Sequence, residues 1–318
     1  MAKTKEISRR IKSVTSTKKI TKAMEMVAAA KMRKAIEAVL KTRTYANLSW
    51  ETVLHLAALA QQNQEANHPL LSPRAVVKRV AIILLTSNRG MCGAYNSAII
   101  SKAEHSLKSH GSAVKTDFIL VGRKGSVVNN HGYNVEAEFE KSDILMTAQE
   151  IYPLVKMALD DFLSGKYDKI FVAYTDFINP AKQISRVKQL LPVELTAEDD
   201  YLGLASQESR IAVDKEFLEK KEQKHFSQDR LIYECKFEPS PRAVLDAMVP
   251  RLLETQLYQA FLEANASEHS ARMTAMHQAT EAATDMVAEL TLFYNKARQA
   301  GITAEIAEIS AGANALAD

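Results

Sequence analysis

The chain has 318 residues, enough for one large domain or two smaller ones. Hydrophobic residues make up 47% and charged residues 25% of it, which excludes wholesale disorder, while only 10 Gly and 8 Pro favour long helices over a turn-rich all-β sandwich or propeller. Two cysteines, Cys92 and Cys235, support neither a disulfide framework nor a four-thiolate zinc site. No apolar run approaches the roughly 20 residues of a membrane span. The opening MAKTKEISRRIKS has no apolar signal core, so a soluble, reduced, cytosolic protein is expected.

The formal net charge of +3 conceals a split. Residues 1–44 carry thirteen Lys/Arg against three Glu, a net +10, whereas residues 240–318 carry five Lys/Arg against ten Asp/Glu, a net −5. A basic arm suits nucleic acid or an anionic surface. It also suits pairing with the acidic other end.

Residues 3–60 contain neither Gly nor Pro and are rich in Ala, Lys, Met, Glu and Leu, which predicts one long helix. At about 1.5 Å per residue it would exceed the diameter of a small domain, so part of it should project. Ile7, Ile11 and Val14 are spaced four and three apart, as are Ile20, Met24 and Val27. The six-residue step from Val14 to Ile20 argues against one clean heptad run. Asn67, His68, Pro69 and Pro73 close the segment.

Residues 79–193 read as strands alternating with helices. Buried strands are expected at Val80–Thr86, Asp117–Val121 and Lys169–Thr175, and a weaker one at Tyr133–Phe139. Helices are expected up to about Ser109, at Gly125–Asn130 and at Met146–Leu163. The alternation implies a mainly parallel sheet, with Gln183–Val193 returning as an antiparallel edge. Residues 196–228 are highly charged and read as a solvated loop with one surface helix, followed by a short strand at Leu231–Phe237. Ser240 before Pro241 is an N-cap signal, and helix formers continue to about Ala311 with an expected kink at Pro250. The end carries a stripe of Ile302, Ile306, Ile309, Ala313 and Leu316, spaced 4, 3, 4 and 3.

The expected fold is therefore α/β: a long antiparallel coiled coil of the N- and C-terminal helices plus a central Rossmann-like α/β domain with a mainly parallel sheet. The expected division is 1–60, 75–195, 196–239 and 240–318. Neither terminal helix can bury its stripe alone, and antiparallel pairing also offsets the charge split.

Motifs for chemistry are weak. Ser87-Asn-Arg-Gly-Met-Cys-Gly93 lies where a dinucleotide phosphate loop would sit but lacks G-x-G-x-x-G spacing, and Gly122-Arg-Lys-Gly-Ser126 lacks the Gly a P-loop needs upstream. Structural turns account for both better. The eight His show no metal spacing, nothing near Cys92 would activate a thiolate, and the Asn47 and Asn265 sequons are discounted. No cofactor, metal or catalytic residue is expected. On these grounds alone, three classes stay open: a structural helical protein, a nucleic-acid-binding coiled coil, and a Rossmann-type enzyme. The absence of aromatic interleaving in residues 1–44 weighs against the second.

Four segments carry a family resemblance. Arg10-Ile-Lys-Ser-Val-Thr-Ser-Thr-Lys-Lys-Ile-Thr-Lys-Ala-Met-Glu-Met-Val-Ala-Ala-Ala-Lys-Met32, Ser87–Asn96, Ala266–Thr280 and Tyr294–Gly312 resemble, in order, motifs of the F-type ATP synthase gamma subunit. The resemblance implies a non-catalytic central shaft whose paired helices stand inside a hexamer of alpha and beta subunits. Its α/β foot would bind epsilon and rest on the c-ring. It further implies that Met24, Arg298 and Gln299 face the beta subunit, and that Arg272, Phe237 and Glu238 belong to the c-ring and epsilon foot. Ile302, Ile306, Ile309 and Leu316 would enter an apolar bearing of the hexamer. Neither nucleic acid nor direct membrane insertion is expected, and the implied location is peripheral, on the cytoplasmic face of a bacterial plasma membrane. The stretch 196–228 is longer than in short bacterial members and lacks the paired cysteines of the chloroplast form, so no thiol switch is expected.

Overall fold

The computed structural model describes residues 2–62, 69–74, 76–109, 114–142, 148–193, 238 and 240–315. The charged stretch 196–228, the strand expected at Leu231–Phe237, and the residues Phe237 and Leu316 lie outside the described residues. The chain divides into two units, Met1–Ala29 with Arg272–Asp318, and Ala30–Ala271. Two long helices, α1 (Ala2–Gln62) and α5 (Pro241–Ala315), each contribute to both units.

The unit 30–271 is built on a five-stranded sheet. Strands β1 (Arg79–Leu85), β2 (Lys115–Val121), β3 (Asn134–Phe139), β4 (Lys169–Asn179) and β5 (Lys182–Leu191) lie in the order β3-β2-β1-β4-β5. Every neighbouring pair is parallel except β4 with β5. This is the mixed, parallel-dominated sheet that the alternation implies. Strand β1 is continuous apolar sequence because both its faces are covered. Ala81, Ile83 and Leu85 share a core with Ile151, Leu154, Val155, Ala158 and Phe162 of α4 (Ala148–Leu163) and with Leu253, Leu257, Phe261 and Ala264 of α5. Val80, Ile82 and Leu84 pack with Ile99, Ile100 and Ala103 of α2 (Tyr95–Ser109).

Strand β4 runs four residues beyond the apolar segment Lys169–Thr175. The extension comes from the hairpin: Asp176 pairs with Ile184 and Phe177 with Gln183. Asn179 Oδ1 then accepts the backbone N–H groups of Ala181 and Lys182 at 2.9 and 2.8 Å, an Asx turn that reverses the chain. The expected helix Gly125–Asn130 divides into a 3-10 turn (Arg123–Ser126) and one α turn, α3 (Val127–Asn130). Gly122 precedes it at φ 95°, and a Cβ there would lie 2.4 Å from the Thr86 carbonyl oxygen. The glycines after β2 thus serve a close approach to the end of β1.

At the amino ends of the strands, Asp117 accepts hydrogen bonds from Arg79, Tyr167 and Asn134 at 3.0, 3.0 and 2.9 Å. Burial alone would raise the Asp117 carboxyl. The bonds from Asn134, Arg79 and Tyr167 outweigh it and hold the carboxyl below its ordinary range. Burial and the hydrogen bond to Asp117 raise the Tyr167 phenol.

Helix α5 opens as the Ser-Pro pair predicts: the Ala243 N–H donates to Ser240 Oγ at 3.2 Å. Its helical run continues through Pro250 and Gly301.

Candidate functional site

The unit formed by residues 2–29 and 272–315 is an antiparallel helix pair. The hydroxyls of Thr21 and Thr280 share a hydrogen bond at 2.8 Å. Glu25 Oε1 lies 3.3 Å from His277 Nδ1 and accepts from Lys22 Nζ at 2.9 Å. As the number rises on α1 it falls on α5, which defines the direction. On α1 the seam runs through the covered positions Ile7, Ile11, Val14, Lys18, Thr21, Glu25 and Ala28, and on α5 through Met273, Met276, Thr280, Ala283, Val287, Leu290, Tyr294, Ala297 and Gly301, with Thr4, Ser8, Thr15, Met24 and Ala29 and, on α5, Arg272, Ala275 and Ala279 half-buried beside it. Both alternate by steps of three and four, the period of a coiled-coil seam.

This corrects the reading of the N-terminal helix. Ile20 and Val27 are 57% and 56% exposed, and Met24 is half-buried. The seam is one unbroken heptad run after all, because it passes through the polar residues Lys18, Thr21 and Glu25 rather than shifting to the next apolar triplet. Continuing the count from Val14 regardless of polarity reaches Ala28 in register, a signal that was present in the sequence. The hydrogen bond from Lys22 holds the Glu25 carboxyl below its ordinary range against the opposing effect of burial, with His277 adding to it.

Carrying the Thr21–Thr280 register outward by heptads sets Val14 opposite Val287 and Ile7 opposite Tyr294, and brings α1 to its beginning near Gly301. Past that glycine the residues of α5 are exposed: Ile302 is 49%, Ile306 61% and Ile309 73% accessible. Counted on from Gly301 the seam would fall at 304, 308 and 311, none of them an isoleucine, so their stripe does not continue the face that α1 covers. Arg298 and Gln299 are exposed and Arg272 is half-buried. Arg272 falls in this helix-pair unit, apart from Glu238, which is exposed ahead of the Ser240 cap in the other unit.

The second constellation lies within the unit 30–271, at the carboxyl ends of β1 and β4. Between these strands the order reverses, and open α/β sheets bind ligands in the crevice there. In this chain its own helix fills that position. Residues 261–270 of α5 are buried on every side, and several of their polar groups are engaged. Ser267 Oγ donates to the Thr175 carbonyl of β4 at 3.0 Å, and Ser270 Oγ donates to the Pro180 carbonyl at 3.0 Å. The Tyr95 hydroxyl donates to the Ala264 carbonyl at 3.2 Å. Lys141, just after β3, makes a 2.7 Å ion pair with Glu268, their side chains 2% and 3% exposed. The ammonium also lies 5.8 Å from the centre of the Tyr95 ring.

The segment Ser87–Asn96 is tied to the Lys141 loop and to itself. Ser87 N–H donates to Asn96 Oδ1 at 3.0 Å, Asn96 Nδ2 donates to Ser87 Oγ at 2.8 Å and to the buried Cys92 Sγ at 3.2 Å. Asn88 Nδ2 donates to the Lys141 carbonyl. The loop that stands where a phosphate loop would sit thus spends Ser87, Asn88 and Asn96 on fastening the chain to itself. Sequence reasoning missed Lys141 and Glu268. A signal existed for Glu268: Leu257, Phe261 and Ala264 step by four and three to it, so it occupies a core position of the helix. Lys141 had none, since only the fold brings it there across 127 residues. Among the described residues no group of acidic, His or Cys side chains forms a metal cluster.

The chain thus combines a doubly wound sheet whose crevice holds its own helix with a heptad-paired helix end, the layout of an α/β protein with long terminal helices. The family model for ATP synthase matches residues 3–316, and the chain belongs to the family of ATP synthase gamma chains. It is 39% identical over 325 residues to the ATP synthase gamma chain of Herpetosiphon aurantiacus, covering 99% of each, and 40% identical to that of Symbiobacterium thermophilum, covering 98% of each. Among solved structures, it resembles a chain of the Euglena gracilis mitochondrial ATP synthase assembly of OSCP, F1 and c-ring, with a TM-score of 0.62 at 16% identity over 99% of this chain and 95% of that one. A chain of the Tetrahymena thermophila mitochondrial ATP synthase central stalk and c-ring gives 0.55 at 22% identity, covering 82% of this chain and 99% of that one. At these identities the structures speak for the fold.

Proposed function

We infer that the chain is the central rotary shaft of an F-type ATP synthase, a non-catalytic subunit that couples ion-driven rotation of a c-ring to ATP synthesis on beta subunits. The observation that carries this reading is the full-length family match joined to a helix pair whose longer partner ends in an exposed apolar stripe. No helix among the described residues is long and apolar enough to cross a membrane, in keeping with a peripheral member of a membrane-bound complex. Its proposed location is the cytoplasmic face of a bacterial inner membrane.

The proposed partners are the alpha–beta hexamer, epsilon and the c-ring. Arg298 and Gln299 would hydrogen-bond a beta-subunit loop, a role suited to the planar guanidinium of an exposed Arg. Met24 would face acidic loops of beta. Glu238, with Phe237 and Arg272, would serve the foot. Ile302, Ile306 and Ile309, with Leu316, would turn in an apolar sleeve, where the absence of directional hydrogen bonds avoids trapping one angle.

Reconstitution tests the reading. Mixed with alpha and beta subunits, the chain should assemble at one copy per hexamer, and a bead attached to its foot should rotate in steps when ATP is supplied. Assembly without rotation, in a hexamer that still hydrolyses ATP, would refute it.

A further inference from the structure

We propose that Lys141 and Glu268 form a torque pin, positioning residues that fasten α5 against the carboxyl edge of the sheet so that rotation of the foot is delivered to the helix without slip. The proposal rests on the shaft reading above. Its support is the geometry. A shaft helix must resist both turning about its own axis and sliding along it. Apolar contacts resist these motions weakly, since one methyl replaces another at little cost, whereas a hydrogen bond to a charge is directional and loses much of its strength when misaligned.

Along α5 from Leu245 to Phe261 the core contacts are made by apolar residues, with Gln256 and Gln259 the buried polar exceptions. Then, within 264–270, directional contacts accumulate. The Ala264 carbonyl is held by Tyr95, Ser267 holds β4 at Thr175, Glu268 holds Lys141, and Ser270 holds the hairpin at Pro180. These attachments reach helix α2, strand β4, the β4–β5 hairpin and the loop after β3, so the helix is gripped from several sides within about two turns. Among them only the Lys141–Glu268 contact joins two full charges, and it is buried. A stability requirement alone does not call for it, because well-packed apolar residues of similar volume commonly replace a buried ion pair without loss. What the apolar pair cannot replace is the fixed angle. The grip also ends just before Arg272, where α5 passes from one unit to the other.

The test uses the assembled complex of hexamer and full-length chain. The double variant Lys141→Met with Glu268→Met keeps volume and removes both charges together, so no buried charge is stranded. It should match the parent in assembly yield, in thermal midpoint and in unloaded rotation rate. It should lose stall torque under an opposing magnetic or viscous load and, in membranes, pump fewer ions per ATP hydrolysed. Lys141→Arg, which retains cation and donor, should keep the parent's stall torque. Equal stall torque and equal pumping ratio in the double Met variant and the parent would overturn the pin, as would a loss in Lys141→Arg as large as that in the double variant. The two readings fail separately: a parent complex that does not rotate refutes the shaft reading and the pin with it, while a parent that rotates and a double variant that stalls at the same load refute the pin alone.

Discussion

Gly122 has little freedom to change. Its φ of 95° and the 2.4 Å approach of a would-be Cβ to the Thr86 carbonyl combine backbone strain with a clash against main chain, which cannot swing away as a flexible side chain could. Gly122→Ala should therefore cost about 3 kcal/mol, read as a lowered thermal midpoint. Gly90, with nothing within 4 Å of its would-be Cβ and no positive φ, should accept Ala with little change. Asp117 makes a second prediction. Its carboxyl lies below the ordinary range when folded, so its contribution is present above the unfolded value near 4 and is lost as pH falls through the folded one. Asp117→Asn should weaken the anchor of Arg79 and Tyr167 by about 1.5–3 kcal/mol at neutral pH. It should also flatten the acid side of a stability–pH profile; a parallel profile in the variant would contradict the assignment.

At the scale of elements, the helix pair carries a polar layer in its seam. Polar residues at seam positions commonly trade stability for register, and Thr21, Glu25 and Thr280 form such a layer here, with the exposed His277 at its edge. Cysteines placed at 21 and 280 should cross-link readily in the parent background. With Glu25→Leu, a slipped pairing, read as a cross-link between cysteines at 14 and 280, should appear. If the slipped product forms equally in both backgrounds, the layer does not set the register. The exposed stripe behaves differently. Because Ile306 is 61% accessible, Ile306→Ala should alter the free subunit's stability by less than about 0.5 kcal/mol. It should still weaken assembly, since burying one Ile in a sleeve contributes about 1.5–3 kcal/mol. Hydrogen exchange over 302–311 should slow on assembly; equal protection in the free and assembled chain would refute the bearing.

The whole molecule shows which parts of a fold are legible in its residues. The sheet was readable because β1, β2 and β4 are buried on both faces, leaving apolar runs bounded by polar turns. The extra length of β4 was not, since it depends on pairing with β5 rather than on its own composition. The seam was half readable. Its apolar positions were visible, but the polar ones, which fix its phase, look like surface residues until their partners on the other helix are known. The clamp was hidden more deeply, because Lys141 and Glu268 mean little apart and meet only through the topology. On the functional side, Met24 is half-buried beside the polar layer, so Met24→Lys is expected to permit assembly, with the long Lys stem directing its charge outward. It should lower the number of ions pumped per ATP through a new attraction to acidic loops. A normal pumping ratio would count against that placement.

The helix pair joins residues 2–29 to residues 272–301, so its two strands of sequence are made far apart in time. At about 5–20 residues per second, the basic helix leaves the ribosome roughly 10–50 s before the partner that completes its seam. For that interval Ile7, Ile11 and Val14 have no covering face of their own. A seam phased by Lys18, Thr21 and Glu25 is a poor template for like-with-like association, because two helices that each carry eight Lys/Arg against two Glu repel, whereas residues 272–301 carry three Lys/Arg against three Asp/Glu and offer no such repulsion. The positive charge that first distinguished the N-terminal end thus opposes pairing between two early copies of that helix, while the neutral stretch of the same molecule meets it without that cost.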